Sequence, residues 1–377
     1  MQHYDAIVLG VGGVGSSVLD HFSRRGLRVV GLDRFAPGHQ QGSSHGQTRL
    51  IRQAYFEHPD YVPLLKRAYA LWEDLERRSG QTLYRESGVL QVGPLSGRVL
   101  PGVLASAKLH GLEVDELAAR DVSSRFPGFV CPETMSGVFE RRAGFLFVED
   151  CVYAAVAQAT QAGAVLQIGE TVQRWSASPG RVEVQTDRET YTASHLVITA
   201  GSWATDFLGD LGIRFEVLRK PLYWFETDSP VYHADRGAPG FIYETPAGNF
   251  YGFPQIDATG LKVAEHSGGD VVPDPLLVDR NEHPHETRQV SGFLADYLPG
   301  VSNRQTRFDV CLYTVSPDRN FVIDRHPAHP HVSFAAGLSG HGFKFASVLG
   351  EVLADLSLGQ PTSAPVEFLS SRRAGLK

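Results

Sequence analysis

The strongest constraint on the fold lies close to the start of the chain, where Gly10-Val11-Gly12-Gly13-Val14-Gly15 matches the pattern GxGxxG. The apolar run Ala6-Ile7-Val8-Leu9 before it suits a buried parallel strand. Val14, Val18 and Phe22 then recur at helical spacing, Gly26 closes the helix, and a second strand runs from Leu27 to Asp33. Gly10 permits a tight turn, Gly12 lets a pyrophosphate approach the backbone, and Gly15 allows close helix–strand packing. The helix start around Gly13 and Val14 offers free N–H groups and the positive end of a dipole. Asp33 can accept hydrogen bonds from ribose hydroxyls, with Arg34 beside it, so the ribose expected is unphosphorylated. Glycine-rich turns alone are common; strand, glycines, helix, strand and acid in this order predict a dinucleotide site for FAD or NAD.

A chain of 377 residues is long for one core and fits two closely joined domains. The net charge of −7 comes without any Lys/Arg block, which argues against a nucleic-acid partner and fits a solvated surface. Cys131, Cys151 and Cys311 are far apart, and no CxxC or His/Cys zinc spacing occurs. A disulfide framework and a structural metal are therefore not expected. No basic stretch followed by an apolar one opens the chain, and no window approaches the ~18 apolar residues of a membrane span. The expectation is a cytoplasmic protein with no membrane partner.

Past Asp33, residues 37–46 form a polar, turn-rich segment able to wrap a ligand. Thr48 to Tyr55 reads as a short helix placing Thr48, Arg52 and Tyr55 on one face, with Arg49 a turn before Arg52. Two arginines there fit a solvated face as readily as an anion contact. Tyr61, Leu64, Leu65, Ala68, Leu71, Trp72 and Leu75 form the stripe of a longer helix, and another helix runs from Val152 to Ala162. Leu196-Val197-Ile198-Thr199 is strand-like and ends in Ala200-Gly201-Ser202-Trp203, a small-residue turn suited to a cofactor. From Leu218 to Val263 aromatic-rich hairpins suggest an antiparallel sheet. The fold class expected is α/β: a Rossmann-like domain (1–82, 148–216 and 311–377) interwoven with an α+β substrate domain (83–147 and 217–310) built on that sheet.

Three later segments could carry chemistry. Gly337 to Gly342 form a glycine-rich turn feeding a helix with the stripe Phe345, Val348, Leu349, Val352, Leu353 and Leu356. Lys344 sits in its first turn, where the dipole disfavours a cation, so an anionic partner or a snorkelling side chain would explain it. Gly260 to His266 reads as a strand with Lys262, Ala264 and His266 on one face, either lining a pocket or solvated. Cys311 lies among apolar neighbours and on that basis is a small buried hydrophobe.

Together and in order, Gly-Val-Gly-Gly-Val-Gly, Gly-Ser-Ser-His-Gly-Gln-Thr-Arg-Leu-Ile-Arg (42–52), Tyr-Gly-Phe-Pro (251–254), Leu-Lys-x-x-x-His (261–266), Cys-x-Tyr-Thr (311–314) and Gly-His-Gly-Phe-Lys-Phe (340–345) carry a resemblance. The chain resembles the monomeric sarcosine oxidase and N-methyltryptophan oxidase family of flavoproteins along nearly its whole length. The resemblance implies FAD, with Cys311 bound as a thioether to the flavin 8-methyl group. It implies that Ser43, Thr48, Arg49, Val172, Gly201, Trp203, Gly340, Gly342, Phe343 and Lys344 join Gly10–Gly15, Asp33 and Arg34 around the cofactor. Arg52 and Lys344 would clamp a substrate carboxylate, Tyr251 and Tyr313 would line the pocket, and His266 would meet the substrate amine. Lys262 would lie by the central ring and favour electron transfer to O2, while Arg49 and Thr48 tune the flavin.

The reaction so implied is O2-dependent demethylation of a secondary N-methyl amino acid, giving the amino acid, formaldehyde and hydrogen peroxide, by a monomeric enzyme. Another secondary amine, such as pipecolate or a sugar-modified amino acid, would use the same scaffold; a non-catalytic flavin-binding protein or an NAD-dependent dehydrogenase are the readings from other classes. The chain departs from the family at Ser44-His45, where two histidines are usual, and at Gln47, where an acid is usual. Phe56-Glu57-His58-Pro59 replaces a small-residue loop expected to gate the pocket, which puts substrate size in doubt. Ser316-Pro317-Asp318 and Phe345 to Glu351 resemble the N-methyltryptophan branch somewhat more.

Overall fold

Two eight-stranded sheets follow from two patterns of side-chain alternation. In the computed structural model, which describes residues 3–362 and 364–376, the strand His3–Leu9 lies parallel between Val29–Asp33 and Thr190–Ile198. It is buried on both faces, as its unbroken apolar run requires. Ala6 and Val8 face a core made with the helices Gly13–Arg24, Tyr61–Ser79, Val148–Gln161 and Ala346–Ser357. Ile7 and Leu9 face the other way, against Val182, Val184 and Leu208. His329–Ala336 adds a further parallel strand beside Thr190–Ile198. The predicted βαβ unit, the stripe of Tyr61–Ser79 and that of Ala346–Ser357 are all present and buried.

The second sheet runs in the order Gln305–Val315, Glu216–Phe225, Leu261–Glu265, Gly248–Phe253, Gly240–Thr245, Val89–Gly93, Ser136–Glu140, Asp115–Ala118. It is antiparallel as expected, except where Gly240–Thr245 meets Val89–Gly93 in parallel. Successive side chains point to opposite faces, and here the two faces differ in kind. Tyr223, Phe225, Leu261, Val263, Phe250 and Phe241 pack with Phe293 and Leu294 of the helix Pro284–Tyr297. The opposite face carries Trp224 beside Lys262, Tyr251 beside Ala264, and Cys311 beside Lys220, by direct register. The division proposed at 310/311 falls inside the unbroken strand Gln305–Val315, and residues 1, 2, 363 and 377 of that division lie outside the described residues.

The helix expected from Thr48 to Tyr55 is instead a strand, Thr48–Ile51, paired with Gly144–Phe147 in a three-stranded sheet. The backbone enters it through Gly46 (φ 85°) and Gln47 (φ 73°), a left-handed pair incompatible with a helix start. Glu149 holds that turn by accepting the N–H groups of Gly46 and Gln47. Thr48, Arg52 and Tyr55 therefore do not share a helical face; Arg49 lies within the strand and Arg52 just past its end. No helix among the described residues is long and apolar enough to cross a membrane.

Gly15 shows how tightly the first helix meets its strand: a Cβ there would sit 1.8 Å from the Gly10 carbonyl oxygen. Gly15→Ala should cost about 1–3 kcal/mol or more, as overpacking does. The check is a lowered urea midpoint with unchanged slope, together with loss of retained cofactor.

Candidate active site

One continuous cavity opens between the C-terminal ends of the parallel strands and the polar face of the second sheet. At one end it is lined by Gly10, Gly12, Gly13, Val14, Asp33, Arg34, Val172, Gly201 and Trp203. Ser43, Arg49 and Cys311 follow, then Gly340, Gly342, Phe343 and Lys344, with Arg52, Tyr251, His266 and Tyr313 at the far end. Of the residues singled out from sequence, Gly15, Thr48 and Lys262 stand behind the lining and the rest form it.

The nucleotide end has the construction a dinucleotide requires. Gly10 has φ 88°, and a Cβ there would lie 2.6 Å from Thr199 O, so the tight turn demands glycine. The Asp33 carboxylate accepts from Val11 N (2.7 Å) and Phe35 N (2.8 Å), pinning the phosphate-facing turn to the end of the second strand. Burial raises its pKa, with the two backbone donors opposing. Gly13 N, at the helix start, donates to Ser44 Oγ at 3.0 Å. Turn, helix start, acid and an extended groove leading to Cys311 together fit FAD.

At the inner end the Arg49 guanidinium donates to Ser43 O and Thr48 O, each at 2.9 Å, and reaches Cys311 Sγ at 3.2 Å. Cys311 is buried yet on the cavity wall. Lys262 lies one layer back, fully buried, donating to Gly46 O and to Thr48 O at 2.9 Å, with the Phe253 ring 4.7 Å away. Burial and then Arg49 pull its pKa well below the usual lysine range.

Arg52 stacks over the Tyr55 ring at 4.3 Å and grips both oxygens of Glu57, at 3.0 and 2.9 Å. Burial pushes the Glu57 carboxyl up, but Arg52, with His341 and Lys344, outweighs it and holds the pKa at about 2. Lys344 donates to His341 O at 2.8 Å and approaches Tyr55 Oη at 3.4 Å. Burial and Arg52 lower its pKa to about 7. His266 Nδ1 lies 3.4 Å from the Tyr313 hydroxyl, which reaches that of Tyr251 at 3.5 Å. Burial first, and Lys220 second, keep His266 neutral with a pKa of about 3.

Sequence reasoning missed several contributors. Glu57 was visible only as part of an unusual loop, and nothing in its spacing pointed to Arg52. Tyr55 and His341, joined at 2.7 Å, support Lys344. Phe56, Ile242 and Asn249 line the far end; strand alternation from Tyr251 would have placed Asn249 there. His283, His285 and Glu286 come together elsewhere, but Glu286 is engaged by Arg219 and His283 by Asp279.

A model of FAD-dependent oxidoreductases matches residues 5–356. The chain belongs to that family. It is 41% identical to the monomeric sarcosine oxidase of Streptomyces avermitilis, across 98% of this chain and 97% of that one. It is 36% identical to an N-methyl-L-tryptophan oxidase of Salmonella dublin, across 96% of each. NikD, described as an unusual amino acid oxidase essential for nikkomycin biosynthesis, shares the fold at a TM-score of 0.86 and 26% identity, covering 98% of both chains. L-proline dehydrogenase from P. horikoshii shares the fold at 0.85, with 21% identity and 99% and 98% coverage.

Two consequences follow for an anionic ligand at Arg52 and Lys344. Glu57→Gln removes a competing charge from Arg52 and should tighten acetate binding about tenfold, or ~1.4 kcal/mol. Lys344 is charged below about pH 7, so acetate affinity should fall as pH rises above that value, with proton uptake on binding. Flavin absorbance titrations with acetate across this range check both.

Proposed function

We propose that this flavoprotein oxidises a secondary N-methyl amino acid with O2 and water, yielding the amino acid, formaldehyde and hydrogen peroxide. The observation that carries the reading is the Arg52–Lys344 pair, set in the same cavity as Cys311 and the Tyr251–Tyr313–His266 cluster. The sarcosine and N-methyltryptophan oxidases among its relatives support that substrate class. When bound, FAD supplies the two-electron acceptor that takes a hydride equivalent from the N-methyl carbon and passes electrons on to O2.

The chain's own residues then have separable tasks. Arg52 and Lys344 hold the substrate carboxylate, with Glu57 giving up Arg52 as it enters. Glu57 thus keeps the arginine paired until a ligand arrives, which avoids a bare buried cation. Neutral His266 and the two tyrosine hydroxyls offer the amine hydrogen-bond partners but no negative charge, and the cations around the cavity favour the free amine over the ammonium. Phe56, Ile242 and Asn249 shape the space left for a side chain. Arg49 supplies positive charge at the cavity wall, and Lys262 supplies it through the Gly46–Thr48 backbone it braces. Cys311 Sγ, which lies beside Arg49 on the cavity wall, would hold the flavin 8-methyl carbon as a thioether. Forming that bond would release the thiol proton, one methyl proton and two electrons, for which O2 would be the acceptor. The monomeric sarcosine oxidases among its relatives support a single-chain enzyme, and three buried cysteines in no disulfide suit a reducing cytoplasm.

Anaerobic mixing with sarcosine, N-methyltryptophan and pipecolate tests the reaction: an N-methyl amino acid should bleach the flavin, and bleaching by pipecolate alone would favour a cyclic amine instead. Acid denaturation should leave the flavin on the polypeptide in the native protein and release it from Cys311→Ala. Lys262→Met should slow reoxidation by O2 about a hundredfold, the scale of one lost electrostatic group. Flavin reduction should change far less, and equal loss in both half-reactions would remove Lys262 from the oxygen step.

A further inference from the structure

A second buried lysine lies on the polar face of the large sheet, outside the roles given above. Lys220, on the strand Glu216–Phe225, is 2% exposed and stands opposite Cys311 in register. Its ammonium donates to three consecutive carbonyls, those of His266 (3.2 Å), Ser267 (2.7 Å) and Gly268 (3.2 Å). An ammonium has three donors, and this turn presents three acceptors. The same nitrogen stands 5.3 Å from the centre of the Tyr313 ring. Among the described residues no carboxylate forms an ion pair with it.

The arrangement is costly for a mere tether. A neutral donor could brace a turn, whereas a buried cation with no paired acid carries a large desolvation penalty. What the charge does touch is specific: the backbone of His266 and the face of Tyr313, whose imidazole and hydroxyl lie 3.4 Å apart. His266 lies just past the end of the strand Leu261–Glu265, so its ring is placed by the turn that Lys220 holds.

We propose that Lys220 is a positioning residue for the oxidation, fixing the His266–Gly268 turn and the Tyr313 ring so that imidazole and phenols face the substrate amine. The proposal rests on the reaction given under the preceding heading. Around Lys220 stand His266 of the turn it holds and Cys311 and Tyr313 of the strand beside it, while Glu265, Arg319 and Glu286, the last engaged by Arg219 behind the sheet, act on it at longer range. Burial dominates, Arg319 adds to it, and Glu265, Cys311 and Glu286 oppose it, leaving a pKa of about 8. Above that pH the amine loses its charge and one donor. A carbonyl then loses its partner and the cation–π contact with Tyr313 weakens. Positioning therefore weakens as pH rises through this value.

The test compares native protein, Lys220→Met and Lys220→Arg. Anaerobic flavin reduction at saturating N-methyl substrate is followed against pH, acetate affinity by flavin absorbance, and hydrogen exchange across residues 266–270 by mass spectrometry. The native rate should step down near pH 8. Lys220→Met should reduce flavin about tenfold more slowly, the scale of a small misplacement, with acetate affinity nearly unchanged, no step, and faster exchange in the turn. Lys220→Arg, charged throughout, should show a flat profile across the same range. Should Lys220→Met not fold, the native and Lys220→Arg profiles decide. A native profile without the step, or a step retained in Lys220→Arg, overturns the proposal, as does a purely structural pattern of lower melting temperature with unaltered rate. If no secondary amine bleaches the native flavin, the proposed reaction fails, and native exchange in the turn, compared below and above pH 8 after correction for intrinsic rates, still judges the tether.

Discussion

The inner cavity is organised around positive charge buried in excess of its protein counterions. Arg49, Arg52 and Lys344 line it, with Lys262 and Lys220 a layer behind. Desolvation pulls Lys220, Lys262 and Lys344 below the usual lysine range. Their partners are chiefly carbonyl oxygens, which solvate a cation without neutralising it. Glu57 forms an ion pair with Arg52 and acts on Lys344 at longer range. A site held in this condition favours anionic ligands, and the packing of its walls keeps the cations from relaxing toward water.

That packing comes from strand alternation. One face of the large sheet is an aromatic core against the helix Pro284–Tyr297; the other presents Lys220, Trp224, Tyr251, Lys262, Cys311 and Tyr313. Because register fixes which face each residue occupies, a one-residue slip in any of these strands would exchange chemistry for core. The opposing wall is made by turns at the ends of parallel strands, where free backbone donors are unavoidable. Polar side chains and free backbone donors thus come from different architectures meeting along one groove.

Much of this was legible in the chain. The βαβ unit and the buried helices announce themselves because glycine turns and 3.6-residue stripes are local signals. Lys262 and Ala264 share a face because a strand has only two, whereas His266 lies past the strand's end and is set by the turn there. The segment from Thr48 misled because its i, i+4, i+7 polar spacing imitates a helix, while the deciding factor, a left-handed Gly46–Gln47 turn clamped by Glu149, depends on a residue a hundred positions later. The Arg52–Glu57 pair and the Lys220 carbonyl cage were invisible for a related reason. A charged residue within a loop or strand has no periodicity to betray it, and its partner is set only by tertiary contact. Lys262 was expected beside the flavin ring; its place behind the Gly46–Thr48 backbone is again a matter of packing.

The order in which the walls are supplied has a consequence for biosynthesis. The phosphate-facing turn is near the start of the chain, but its strand is flanked by Thr190–Ile198, and that strand in turn by His329–Ala336. Tyr313 and the turn from Gly340 to Lys344 also come late. A nascent chain emerging from the ribosome can shape the early glycine turn long before anything exists to enclose a ring system. Stable capture of the cofactor therefore belongs to the closing phase of synthesis, and a chain stalled short of residue 340 would expose half a groove, a natural handle for quality-control proteases.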